Sequence, residues 1–141
     1  MESIKDGQPV DVRLQSSIQH EGQVAEPHEL TAAGILIKKA GKTYLQFEEG
    51  GHAEPVKTIV KLDKDDAFIM RKGAVQMRLP FTAGDIRPGT YGNGPVAFNL
   101  LVKTTKLEVT DRRFTAHYEL HADGARLGTH ELLITYTEGH A

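Results

Sequence analysis

Apolar and polar residues alternate with period two along most of the chain. No window of a dozen residues carries an apolar stripe at helical spacing, so the pattern predicts strands throughout, with at most one short helical turn. Turn signals recur about every ten residues: Glu21-Gly22, Ala40-Gly41, Asp63-Lys64-Asp65, Lys72-Gly73, Asp111-Arg112 and Asp123-Gly124. The expected architecture is all-β, an antiparallel up-and-down meander. One segment breaks the rhythm. Thr82 to Pro95 holds four Gly and two Pro in fourteen residues and reads as a long connection, a lid or a barrel crossing.

Because successive side chains on a strand point to opposite faces, alternation also assigns an interior. Val10, Val12, Leu14, Ser16 and Ile18 face in on the first strand. A two-residue turn at Ala40-Gly41 turns Leu36, Leu45 and Phe47 inward and leaves Ile35, Ile37 and Tyr44 as an outward apolar patch. A three-residue turn at 63 to 65 pairs Val60 with Phe68. A two-residue turn at Lys72-Gly73 then sets Met70 against Val75 and Phe68 against Met77, a wholly apolar face. A two-residue turn at Asp111-Arg112 opposes Val109 with Phe114, Leu107 with Ala116 and Thr105 with Tyr118.

The last hairpin admits two registers. A two-residue Asp123-Gly124 loop would put Glu131 inside and Leu132 and Ile134 outside, which is costly. A three-residue loop over 123 to 125 instead opposes Phe114 with Ile134, Ala116 with Leu132 and Tyr118 with His130, and is the expected one. His130 is then an inward histidine across from Tyr118, with Tyr136 on the same face further along.

Composition narrows the chemistry. At 141 residues the chain fits one domain, 1–141, large enough to bury a core without a staple. It has no cysteine, which excludes thiolate catalysis, thiolate metal sites and disulfides. The start lacks a signal pattern and no apolar run is long enough to span a bilayer as a helix, so the expectation is a soluble, cytoplasmic protein without membrane contact. The net charge of −2 hides a segregation: residues 57 to 113 carry 11 basic and 6 acidic groups. With no Trp and no aromatic residues interleaved among the basic ones, that segment reads as solvated strand faces and not as a nucleic-acid surface.

Hydrolase, zinc-protease, phosphate-loop and dinucleotide motifs are all missing. His117 and His121 share a strand face but lie roughly 13 Å apart at strand rise, too far to share one ion. The sequence therefore implies neither a metal nor a cofactor. His130, Tyr118, Tyr136 and Thr105 form a small polar set on an apolar interior. That is the composition of a ligand pocket, and equally of a core histidine satisfied by a tyrosine.

The chain also resembles the YwiB family of bacterial proteins, a family of unknown function placed among calycin-like β-barrels. The residues that carry the resemblance are Gly34, Tyr44-Leu45, Lys57 to Lys61, the hairpin Met70 to Met77, Phe81, Thr82, Gly84, Tyr91, Lys103-Thr104, and the ending Tyr118, His121, His130 and Ile134-Thr135-Tyr136. The resemblance implies a closed antiparallel lipocalin-like barrel of eight to ten strands. Such a barrel encloses a lumen suited to a small apolar or amphipathic ligand. The expected contacts are Tyr118, His130 and Tyr136 as orienting groups, Phe68, Met70 and Met77 as apolar wall, and Arg71 near the mouth for an anionic end, although parity puts Arg71 on the outer face. Two other readings stand beside it. One is an interaction protein with a packed lumen, dimerising through Ile35, Ile37 and Tyr44. The other is an enzyme using His130 as acid or base.

Overall fold

A computed structural model describes residues 7–20, 22–49, 55–73, 75–93 and 96–139. Among the described residues ten strands follow one another: β1 (Gln8–Gln19), β2 (Glu26–Lys39), β3 (Lys42–Glu49), β4 (Val56–Lys61), β5 (Ala67–Gly73), β6 (Gln76–Phe81), β7 (Ile86–Asn93), β8 (Val96–Thr110), β9 (Arg113–Ala122) and β10 (Ala125–Glu138). Each pairs antiparallel with its sequence neighbours, and β1 pairs with both β2 and β10, so the sheet is a closed up-and-down barrel. Closure leaves no edge strand among the described residues to template association.

Two connections take the form that the sequence predicts, and a third reaches the predicted register by another route. Ala40 (φ 53°) and Gly41 (φ 80°) lie between the pair Lys39 and Lys42, both in the left-handed region that a two-residue hairpin needs. Arg112 (φ 65°) closes the turn between Thr110 and Arg113. In the last hairpin both candidate registers are used. Asp123 and Gly124 make a two-residue turn between Ala122 and Ala125, and then the register shifts between Arg126 and Gly128. Beyond this bulge His130 opposes Tyr118, Leu132 opposes Ala116 and Ile134 opposes Phe114. A bulge does the work expected of a third loop residue. The turn expected at Glu21-Gly22 falls partly outside the described residues, as does Ala74 beside Lys72-Gly73.

Elsewhere the structure corrects the reading. The β4–β5 loop is longer than three residues: Lys61 opposes Phe68 and Val60 opposes Ile69. The Asp63 carboxylate accepts from the backbone N–H groups of Asp65 and Asp66, which holds the wider loop together. A slip of one residue exchanges the faces of a strand. Ala67 and Ile69 are therefore buried inside, Arg71 opposes Met77, and Phe68 and Met70 point outward. Thr105 does not face Tyr118. A bulge between Thr104 and Lys106 gives that place to Thr104 and turns Thr105 outward, where its hydroxyl donates to the His117 carbonyl. The segment from Thr82 is no loose connection either. Asp85 N–H donates to the Thr82 carbonyl in a tight turn, with Gly84 at φ 77°, and β7 follows. Pro88 is tolerated because β7 pairs with β6 only through Thr90, Tyr91 and Gly92, so Pro88 need donate no hydrogen bond on that side. Gly94 and Pro95 lie outside the described residues.

The core fills one end of the barrel. Phe81 lies 6.3 Å from Phe114 and 4.8 Å from Tyr118, measured between ring centroids. Val12, Leu45, Val60, Leu79, Val102 and Ile134 close around them. Gly34 is needed for close approach of β1, β2 and β3. A Cβ there would stand 2.8 Å from Val12 Cγ2 and 2.9 Å from the Gln46 carbonyl oxygen. Gly34→Ala should therefore destabilise the barrel by about 1–3 kcal/mol. The measure is a lowered urea midpoint with unchanged slope; a midpoint equal to the wild type would mean that β2 can swing away from its neighbours.

Candidate functional site

Up-and-down topology places alternate connections at opposite ends. The β2–β3, β4–β5, β6–β7 and β8–β9 turns share the packed end with the start of β1 and the finish of β10. The β1–β2, β3–β4, β5–β6, β7–β8 and β9–β10 connections lie at the other end, the first four of them partly outside the described residues. Ten strands enclose a wider interior than the eight that side chains just fill, and a cavity of about 340 Å³ remains there. Its apolar wall includes Leu14, Leu30, Ile69, Leu79, Leu120 and Leu132; its polar groups include Ser16, His28, Glu49, Arg71, Tyr118 and His130. Met77 and Tyr91, paired across β6 and β7, stand at its side, and Phe98 opposes Tyr91 on β8. Tyr91 is 42% exposed and Phe98 57%, which makes an aromatic lip.

The charged group inside is an ion pair. Glu49 ends β3 on the inward face begun by Leu45 and Phe47, and only 6% of it is exposed. Arg71 donates to it through both Nε (3.0 Å to Oε2) and Nη2 (2.7 Å to Oε1). Thr58, fully buried on β4 across the ladder from Arg71, donates its hydroxyl to Oε2. This is bidentate recognition with one further donor, the arrangement a buried carboxylate requires. The Nη1 amino group of Arg71 and the outer Nη2 hydrogen keep no partner among the described residues.

Tyr118 forms the floor between core and cavity. Phe81 lies 4.8 Å from its ring, and the His130 ring stacks on it at 4.9 Å with 6° between planes. Its hydroxyl donates no hydrogen bond among the described residues. Burial pushes the phenol pKa well above its ordinary value, with the Arg71 charge acting in the opposite direction. Burial, with a smaller electrostatic contribution from His20, pushes His130 down to about 4, so it is neutral at neutral pH. His20 Nδ1 donates to the carbonyl of Leu127, the residue inside the β10 bulge, 2.9 Å away. Among the described residues no three His, Asp or Glu side chains are grouped to hold a metal ion.

Tyr118, His130, Met77 and Arg71 are thus brought together, and Arg71 reaches the lumen against the parity expected of it. Three expected contacts are not part of the site. Phe68 packs on the outer wall with Tyr44 (6.4 Å between rings) and beneath the Arg78 guanidinium (5.6 Å). Met70 shares that outer face. Tyr136 lies toward the packed end, opposite Val12, with its N–H donating to the Arg112 carbonyl. Ile35 is exposed on the outer wall, and Ile37 opposes Tyr44. Glu49 and Thr58 were missed. For Glu49 a signal existed: the alternation Leu45, Phe47, Glu49 carries an acid onto the inner face.

The comparisons with known proteins agree with this architecture. Residues 12–134 match the family described as a domain of unknown function (DUF1934), and the chain belongs to that family. The uncharacterized β-barrel protein YwiB of Bacillus subtilis (strain 168) is 27% identical over 140 residues, spanning 96% of this chain and 98% of the relative. The crystal structure of the ywiB protein from Bacillus subtilis matches with a TM-score of 0.83 and 27% identity, covering 96% of this chain and 94% of that one.

Two outcomes test the site. Arg71→Met leaves Glu49 charged and unpaired, which should cost about 3 kcal/mol, the lower part of the range for broken buried pairs because Arg71 is partly exposed. Adding Glu49→Gln should recover most of that loss in a double-mutant cycle of urea unfolding. The second outcome concerns pH. His130 titrates near 4 when folded and near 6.5 when unfolded, so the unfolded chain takes up its proton first as pH falls. Stability from this residue is complete above about 6.5 and is lost as pH falls toward 4. His130→Phe, which keeps a ring against Tyr118, should flatten the unfolding midpoint across that window.

Proposed function

We propose that the chain binds one small amphipathic molecule in the cavity at the end of the barrel away from the packed core. The observation that carries this reading is the cavity of about 340 Å³ with an apolar wall and a few convergent polar groups. That volume exceeds the ~300 Å³ at which ligand pockets begin, whereas a lumen packed for a purely structural role would leave far less. The polar groups are placed as orienting contacts. Tyr118 is 7% exposed, lines the same cavity as Arg71 and keeps a hydroxyl without a partner among the described residues, an arrangement that a bound polar group would complete. The aromatic lip of Tyr91 and Phe98 supports entry from this end. Acid or base catalysis by His130 finds less support, because its ring stacks on Tyr118 and hydrogen-bonds to no described residue.

The neutral dye N-phenylnaphthylamine, which fluoresces when it leaves water, tests the reading. Fluorescence should saturate at one dye per chain. Leu132→Trp, which projects a large ring from the cavity wall, should weaken binding by about tenfold or more. Native mass spectrometry of fresh protein should show a copurifying small mass that denaturation releases. Bare protein across several preparations, together with no dye binding, would sink the proposal.

A further inference from the structure

Resting on that reading, we propose that the polar end of the lumen selects an uncharged hydrogen-bonding headgroup, such as an amide or ester carbonyl, and discriminates against a carboxylate. An arginine in an apolar pocket ordinarily suggests an anionic ligand. Here the anion is already supplied by the chain. Glu49 occupies two N–H groups of Arg71 in a bidentate contact and is itself held by Thr58. The cluster of Glu49, Arg71, Thr58, Tyr118 and His130 is therefore neutral overall. A ligand carboxylate placed against the free edge of Arg71 would gain from a guanidinium whose charge Glu49 already offsets on the adjoining edge, would be repelled by Glu49, and would surrender its hydration. An ammonium group meets the opposite difficulty, because the Glu49 oxygens are engaged and Arg71 faces it.

What the cluster still offers is hydrogen bonding. The remaining Arg71 N–H groups are donors, and the Tyr118 hydroxyl both donates and accepts. A neutral carbonyl oxygen accepts from such donors and brings no charge to be desolvated. The apolar wall of Leu14, Leu30, Ile69 and Leu132 takes the chain of such a molecule.

Octanamide and octanoate share one chain length and differ in headgroup charge. In competition with N-phenylnaphthylamine at neutral pH, octanamide should displace the dye at a concentration at least about tenfold lower than octanoate. Methyl octanoate, the same acyl chain without charge, should behave like the amide, and this comparison needs no altered protein. Glu49→Gln frees the Arg71 charge and should invert the preference, improving octanoate by about tenfold. If that variant does not fold, the three-ligand comparison on the natural chain still decides. Octanoate equal to or better than octanamide, or dye that neither compound displaces, overturns the selectivity while leaving lumen binding intact. Dye that does not bind at all overturns the underlying reading instead.

Discussion

Closure of the sheet is the constraint on which everything else in this molecule depends. Once the β1–β10 ladder joins the ends of the meander, from Val10 opposite Glu138 to Gln19 opposite Thr129, every second side chain is committed to an interior it cannot leave. The interior then has to be either filled or given a use. Phe81, Phe114 and their aliphatic neighbours fill one end. At the other, the inward positions carry His28, Glu49, Arg71 and His130, which do not pack like hydrocarbon, and space remains.

The buried ion pair shows the same division of labour. Removing two charges from water is costly, and a hydrophobic pair of equal volume often serves stability as well or better. Glu49 and Arg71 are thus poor candidates for holding the barrel shut. Their position at the margin of the cavity, with Thr58 completing the carboxylate, gives the polar end of the lumen a fixed shape without a net charge.

Most of the fold was legible because parity is a strong signal wherever turns are tight. β1, the β2–β3 hairpin and the β9–β10 register follow from alternation and from residues such as Gly41 and Gly124 that accept left-handed backbone. Legibility ended where loop length was set by a side chain. The Asp63 carboxylate stabilises a wider turn than the three acidic and basic residues suggest, and that single residue of slack reversed β5, carrying Arg71 in and Phe68 and Met70 out. Thr105 was misplaced by a bulge that alternation cannot register. β7 was mistaken for a loop because its Gly and Pro residues look unfit for a ladder, although at Pro88 only β8 is there to pair with it. Within the site, Tyr118, His130 and Met77 were readable from the pattern; the acid that balances Arg71 was not sought where a strand ends.

The pairing between β6 and β7 runs for only three residues on each strand, Gln76 to Arg78 against Thr90 to Gly92, the shortest ladder in the barrel. Opposite it, β1 and β2 are joined over eleven residue pairs. The container is consequently uneven in strength around its circumference. Its thinnest seam runs through Met77 and Tyr91, the residues that flank the cavity, so the stiffness of the wall and the access of solvent to the interior are governed by the same few backbone bonds.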